Sequence, residues 1–238
     1  MNTAPATSPT PQETSAAEVL LRALKAHGID YFFANPGTDF APIVEAFARS
    51  SRQGVAVPTP MVIPHENTAI SMAHGVYVVT GRPQAVMVHT TVGTGNTLNT
   101  LINASRDQIP MLLLAGRTPI TEGEAHGGRS RHIHWAQEMF DQAGLVREIV
   151  KWDYEMRMPE QAADVVARAM EIMMASPRQA PAGAAERPDA SAASTPSTAI
   201  ETPAALRSVN LSMPSSAATT MVWSGSVESA RLARAAVV

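Results

Sequence analysis

Apolar residues along this chain switch between a helical spacing and short continuous runs. Ser15 and Glu18 have the spacing of a capping box, and the residues after them place apolar side chains on one helix face until Gly28. A short apolar and aromatic run at 29–34 then predicts a strand. The same analysis predicts further strands at 61–64, which we expect to be buried, 85–89, 110–115 and 146–152, the last being a strand or an extended segment. Further helices are predicted at 39–49, 67–79, 93–105, 135–142 and 159–175.

Helices and strands therefore alternate from residue 15 to about 176. This order predicts an α/β fold with an open parallel sheet and helices on both faces. We expect residues 1–14 to be a disordered leader, 15–178 to form the α/β domain, and 179–238 to be a low-complexity, disordered tail. The tail consists mostly of Ala, Ser, Thr and Pro, with no lysine and Trp223 as its one aromatic residue.

Composition narrows the possible functions. The net charge of -3 gives no electrostatic reason to expect a nucleic-acid partner. The chain has no cysteine, no signal-like start and no apolar run near the roughly 20 residues that a membrane span needs. We expect a soluble, cytoplasmic protein. The loop at 116–134 carries His126, His132 and His134. Metal binding is conceivable there, but no regular helical spacing supports it, so we predict a solvated loop and no metal site.

Three predicted junctions between a strand and the next helix combine small residues with polar ones: Asn35–Thr38, His65–Asn67 and Val92–Asn96. In an open parallel sheet, the carboxyl ends of the strands meet at one edge, where ligands bind. Glycine allows the backbone to approach a ligand closely, and helix N-termini offer free amide donors. Together the three junctions predict a ligand crevice.

Two ionisable residues at this edge each allow two interpretations. Glu66 is either a first-turn helix residue, favoured by the helix dipole, or a carboxyl group that acts on a bound ligand. His89 is either a hydrogen-bonded core histidine or an acid–base group, since its pKa lies near neutrality.

Five motifs occur in the order of a known module: Asn35-Pro36-Gly37-Thr38, Glu66 after a strand, Gly81-Arg82-Pro83, His89 to Asn96 (His-Thr-Thr-Val-Gly-Thr-Gly-Asn), and Asp107 to Gly116. Over about residues 16–178 the chain resembles the N-terminal, pyrimidine-binding domain of thiamine-diphosphate-dependent enzymes of the acetolactate synthase and benzoylformate decarboxylase type. The resemblance implies a parallel sheet with helices on both faces.

The resemblance also implies roles for individual residues. Glu66 matches the glutamate that hydrogen-bonds the aminopyrimidine of the cofactor, and His89 matches a catalytic histidine. Cofactor-binding positions are implied at Asn35, Pro36, Gly37, Glu66, Gly93 and Asn96. Thr38 stands at a substrate-contacting position.

The implied ligands are thiamine diphosphate and a 2-oxo acid, with decarboxylation and ligation both open. Magnesium is expected only if a diphosphate-binding domain is supplied, because the family's Gly-Asp-Gly motif for diphosphate is missing here. A homodimer, or pairing with a separate diphosphate-binding domain, is implied. Another departure is Ala73-His74-Gly75-Val76-Tyr77, where the family commonly has Ala-Asp-Gly-Tyr-Ala.

Near Arg178 the sequence leaves the family pattern, and we expect a frameshift or truncation there. The chain alone is then expected to lack a complete active site. The alternatives are a subunit that pairs with a separately encoded diphosphate domain, a non-catalytic binding or regulatory protein, or a degenerate fragment.

Overall fold

A computed structural model describes residues 14–122, 128–175 and 218–224. Residues 1–13 of the predicted leader at 1–14 lie outside the described part, as do 176–217 and 225–238 of the predicted tail and its junction. The strands are β1 (Tyr31–Asn35), β2 (Thr59–Val62), β3 (Gln84–Val88), β4 (Met111–Arg117), β5 (Trp152–Glu155) and β6 (Ala218–Ser224). They form one sheet in the order β2-β1-β3-β4-β6-β5, and every pairing is parallel. The predicted α/β fold with an open parallel sheet is confirmed.

The helices alternate with the strands along the chain. They are α1 (Ala16–Ala26), α2 (Ala41–Gln53), α3 (Glu66–Thr80), α4 (Thr90–Asn96), α5 (Leu98–Arg106), α6 (Ile133–Ala136) and α7 (Ala162–Met174). The predicted capping box is present at the start of α1, where the Glu18 amide donates to Ser15 Oγ at 3.2 Å and the Ser15 amide donates to Glu18 Oε2 at 2.9 Å. Among the described residues, no helix combines the length and the apolar character needed to cross a bilayer.

The core lies on both faces of the sheet because side chains along a strand point alternately to the two faces. Phe32, Met87 and Leu112 belong to a cluster that includes buried residues of α1, α2 and α7. Phe33 and Val86 belong to the cluster on the other face, with buried residues of α3 and α5. This two-sided packing explains why β3 and β4 appear in the sequence as continuous apolar runs.

The strand predicted at 61–64 was expected to be buried, and this prediction is wrong for Val62. β2 is the edge strand and pairs only with β1 in the described sheet. Val62 is 74% exposed, whereas Ile63, just after the strand, is buried. Neighbouring strands and helices cover an edge strand less than a central strand. An apolar run four residues long occurs in both, so the sequence does not show which kind of strand it forms.

The segment between β4 and α7 also differs from its prediction. The predicted helix at 135–142 is reduced to the single turn of α6, and the predicted extended segment at 146–152 contains a 3-10 helix at Arg147–Ile149 before β5 begins. Val146 and Val150 are buried against the sheet. Their apolar character therefore reflects tertiary packing of a turn rather than strand pairing.

Part of the predicted tail forms a strand. The backbone of β6 lies between β4 and β5, with Leu113 opposite Thr220 and Tyr154 opposite Met221. These seven residues, 218–224, are the part of the predicted tail that the structure describes. Their sequence, Ala-Thr-Thr-Met-Val-Trp-Ser, contains β-branched and aromatic residues that favour strands, and β4 and β5 supply hydrogen-bonding partners on both sides.

Candidate functional site

The strand order places a crevice between β1 and β3. The chain passes from β1 outward to β2 and then returns to β3 on the other side of β1, so the winding direction reverses at this point. In open α/β sheets ligands bind outside the carboxyl ends of the strands at such a switch point. Asn35 ends β1 opposite Val88, which ends β3, so the junctions that follow these two strands are neighbours.

Glu66 lies at the first position of α3, close to this crevice. His65 caps the helix in extended conformation, and its Nδ1 accepts a hydrogen bond from the amide of Asn67 at 3.2 Å. Only 8% of the surface of Glu66 is exposed. Its Oε2 accepts a hydrogen bond from Nδ2 of Asn96 at 3.2 Å. The free amides of the helix N-terminus favour a carboxylate there.

Gly93 makes room for the Glu66 carboxylate. A methyl group added at Gly93 would lie 3.3 Å from Oε1 of Glu66 and 3.1 Å from Cβ of Val88. Both approaches are tighter than ordinary packing. The structure therefore brings Glu66, Gly93 and Asn96 together, although 30 residues separate Glu66 from Asn96.

A second group of predicted residues forms where β1 and β3 end. A methyl group added at Gly37 would come within 2.2 Å of the imidazole of His89, so the turn after β1 must carry glycine to contact this ring. His89 follows β3 and precedes α4, and Thr90 after it has a φ of 46°. Left-handed backbone is unfavourable for a β-branched residue, and such strain is concentrated at functional sites.

Both nitrogens of His89 have a partner. Nδ1 lies 2.5 Å from Oδ1 of Asp39, and Nε2 lies 3.2 Å from Nε2 of Gln137. The hydrogen bond to Asp39 raises the pKa of His89, partial burial opposes that rise, and the charges of Asp39 and Glu66 add to it. His89 is thus held by Asp39 at one ring nitrogen and by Gln137 at the other.

This shift in pKa predicts how His89 contributes to stability at different pH. A histidine whose pKa is higher in the folded state stabilises the fold below its unfolded pKa of about 6.5, and the contribution is lost as the pH rises through the folded pKa. We expect the free energy of unfolding of the wild-type chain to exceed that of His89→Gln most at pH 6 and least at pH 9. Urea unfolding at the two pH values measures this, and a difference that grows with pH would contradict it.

Sequence reasoning missed Asp39, Gln137 and Gln142 at this site. Asp39 was assigned only to the start of a helix, whereas it lies in a 3-10 turn before α2 and is 7% exposed. Gln142 donates from Nε2 to Oγ1 of Thr94 at 3.1 Å and to the carbonyl of Gly116 at 2.9 Å. The burial of Asp39 directly after Asn-Pro-Gly-Thr indicates a functional role, but this burial is visible only in the tertiary structure. Nothing in the sequence distinguishes Gln137 and Gln142 from other glutamines.

The other predicted residues are not all at one site. Pro36, Gly37 and Thr38 border an open cleft of about 630 Å³. It is also lined by Ser15, which caps α1, by Phe40 of the 3-10 turn, and by residues of α2 such as Glu45. Glu66 and His89 are not among its lining residues. The predicted contact of Thr38 with a substrate stays a prediction.

Metal ligands are not grouped in the part of the chain that the structure describes: no three His, Cys, Asp or Glu side chains there are arranged to hold an ion. His126 lies outside the described residues. His132 is exposed, and Nδ1 of His134 accepts a hydrogen bond from the amide of Ser130 at 3.2 Å.

A doubly wound parallel sheet with a buried carboxylate and a carboxylate–histidine pair beside its switch point is an α/β ligand-binding domain. Residues 14–145 match the family described as thiamine pyrophosphate enzyme, N-terminal TPP binding domain. The match covers more than half of the chain, and the chain belongs to this family.

Curated relatives agree with this assignment. The chain is 26% identical over 158 residues to the benzoylformate decarboxylase of Pseudomonas aeruginosa. The aligned region covers 65% of this chain and 26% of that protein. It is 27% identical over 171 residues to the acetolactate synthase large subunit of Parasynechococcus marenigrum, covering 72% of this chain and 26% of the relative. It is 35% identical over 102 residues to the putative acetolactate synthase large subunit IlvX of Mycobacterium tuberculosis, covering 43% of this chain and 19% of the relative.

The predicted resemblance to thiamine-diphosphate-dependent enzymes is confirmed by these comparisons. The chain spans about a quarter of the length of the curated relatives it matches.

Proposed function

We propose that this chain is the thiamine-diphosphate-binding module of a 2-oxo-acid decarboxylase or carboligase. In this proposal Glu66 hydrogen-bonds the aminopyrimidine of the cofactor, and Gly93 and Asn96 flank it. The turn at Asn35–Gly37, whose Gly37 lies against the His89 ring, borders the cofactor from the end of β1. Thr38 contacts the 2-oxo acid substrate, and His89 is the catalytic group beside it.

The observation that carries the proposal is the environment of Glu66. Its side chain is buried at the sheet edge, yet Asn96 donates to only one of its carboxylate oxygens. A carboxyl group in such a place can accept a hydrogen bond from a heterocycle or share a proton with a ring nitrogen. Gly93 leaves space beside Oε1 that any side chain would fill. These residues fit an aminopyrimidine.

The protein and the cofactor divide the chemistry between them. When bound, thiamine diphosphate supplies a nucleophilic thiazolium carbon and an electron sink for cleavage of the bond next to the carbonyl of a 2-oxo acid. Glu66 shares a proton with the pyrimidine ring, and its burial keeps water away from that contact. His89 exchanges a proton with the substrate, and the hydrogen bond to Asp39 raises the pKa of its ring.

A second domain would complete this site. We propose that it binds the diphosphate and magnesium, and that without it the described residues have no turnover. Val62 after Met61, and Val92 next to Gly93, are 74% and 65% exposed in the chain alone. Apolar side chains exposed beside a binding crevice support coverage by another domain, either in a homodimer or from a separate chain.

Calorimetric titration with thiamine diphosphate and magnesium tests the proposal. We expect little or no binding by the chain alone. With a diphosphate-binding domain from a related enzyme added, we expect the titration to show binding. In the same mixture a separate assay should show release of carbon dioxide from a 2-oxo acid. A folded chain that gives neither binding nor turnover in the mixture would instead favour a non-catalytic protein on the same fold.

Product analysis in the same mixture separates the two reactions. An aldehyde as the main product indicates a decarboxylase, whereas a 2-hydroxy ketone or acetohydroxy acid indicates a carboligase. The three relatives named above leave the choice open, since one is a decarboxylase and the other two are acetolactate synthases by name, one of them putative.

A further inference from the structure

Asp39 is a buried carboxylate that neither the family match nor the sequence motifs explain. It is 7% exposed, and its Oδ2 has no hydrogen-bond partner among the described residues. A buried carboxylate without compensating partners is strongly unfavourable. The group that compensates it is His89, whose Nδ1 lies 2.5 Å from Oδ1.

Two glycines make room for this pair. A methyl group added at Gly116 would overlap Asp39, since its carbon would lie 1.6 Å from Oδ2. At Gly37 the added carbon would lie 2.2 Å from the His89 ring. Gly116 lies in β4 and Gly37 in the turn after β1, so the backbones of a strand and of a separate turn leave room for the Asp39–His89 pair.

The partner of the other ring nitrogen indicates which nitrogen carries the proton. The side-chain amide nitrogen of Gln137 faces Nε2 of His89 at 3.2 Å. An amide NH2 group can only donate, so in the neutral ring Nε2 must accept and Nδ1 must carry the hydrogen. That hydrogen then points at the Asp39 carboxylate, which can only accept when ionised.

We infer that Asp39 is the positioning residue of His89, which fixes the neutral ring with its proton on Nδ1 and leaves Nε2 as the nitrogen that exchanges protons with a substrate. The arrangement follows the logic of other carboxylate–histidine pairs, in which the carboxylate orients the ring and stabilises its charged form. The chemical purpose of the pair rests on the proposed function, whereas its geometry does not.

The charged groups that face His89 are few. Asp39 contacts it from the 3-10 turn after β1, and Glu66 acts on it from the start of α3. Gln137, which contacts it from the segment after α6, is uncharged. Asp39 is therefore the residue whose removal should change the charge state of His89 most.

Long-range proton–nitrogen correlation spectra of the 15N-labelled full chain test the inference between pH 5 and pH 9. The His89 signals are identified by their absence in His89→Gln. In the wild-type chain we expect the neutral ring to carry its proton on Nδ1. In Asp39→Asn we expect His89 to become neutral at a lower pH than in the wild type.

Asp30→Asn is the matched control. Asp30 directly precedes β1, at the amino end of the strand and away from His89, and it pairs with Lys25 and Arg82. It should leave the His89 signals unchanged. The inference fails if neutral wild-type His89 carries its proton on Nε2, or if Asp39→Asn titrates like the wild type. If Asp39→Asn does not fold, the position of the proton in the wild-type chain decides the question.

The test is independent of cofactor binding. A proton on Nδ1 together with failed reconstitution would keep the Asp39–His89 pair and reject the proposed function. A proton on Nε2 with successful reconstitution would keep the function and reject Asp39 as the positioning residue.

Discussion

Glu66→Gln is expected to reduce turnover of the chain reconstituted with a diphosphate-binding domain by about 10²–10⁴-fold, the range for loss of a positioned acid–base group. Glutamine has almost the shape of glutamate, and its Oε1 can still accept the hydrogen bond from Asn96. What it removes is the ability to hold and release a proton at the cofactor ring. Steady-state kinetics with a 2-oxo acid measures the effect.

A purely structural role for Glu66 predicts a different result. Loss of a carboxylate at the first position of α3 should then cost about 0.3–1 kcal/mol of stability through the helix dipole and leave turnover near normal. Glu171→Gln, on the exposed side of α7, removes the same charge away from the crevice and should leave turnover unchanged. Near-normal turnover of Glu66→Gln would remove this residue from the mechanism.

Gly116→Ala is expected to destabilise the fold and to separate Asp39 from His89. The added carbon would overlap the Asp39 carboxylate inside a packed parallel sheet, where neither β4 nor the 3-10 turn can move freely. Overpacking of this kind costs about 1–3 kcal/mol. Urea unfolding measures the stability. The same variant should also lower the pH at which His89 becomes neutral, because the partner that raises its pKa is displaced.

Gly75→Ala is the matched control for this substitution. Gly75 lies inside α3, and a methyl group added there would meet no atom within 4 Å. Alanine in a helix interior is favoured over glycine by about 0.5–1 kcal/mol, so this variant should be more stable than the wild type. Equal stability of Gly116→Ala and wild type would show that Asp39 is not held against β4 as described.

The candidate site was partly accessible to prediction because its motifs are local. Glu66, Gly93 and His89 each follow a strand, and the rule that ligands bind at the carboxyl edge was enough to group them. Residues such as Gln137 and Gln142 contact the site from a segment whose helix was wrongly predicted at 135–142. Their positions depend on long-range contacts that no spacing along the chain encodes.

The sequence by itself determined the alternation of helices and strands and the polar turns that follow β1, β2 and β3, because these depend on short-range periodicity and turn chemistry. Only the tertiary structure decided the pairing of Asp39 with His89, the exposure of β2 at the edge, and the position of β6 between β4 and β5. Each of these is set by which segments meet in space, and a strand or a carboxylate finds its partner only when the sheet has formed.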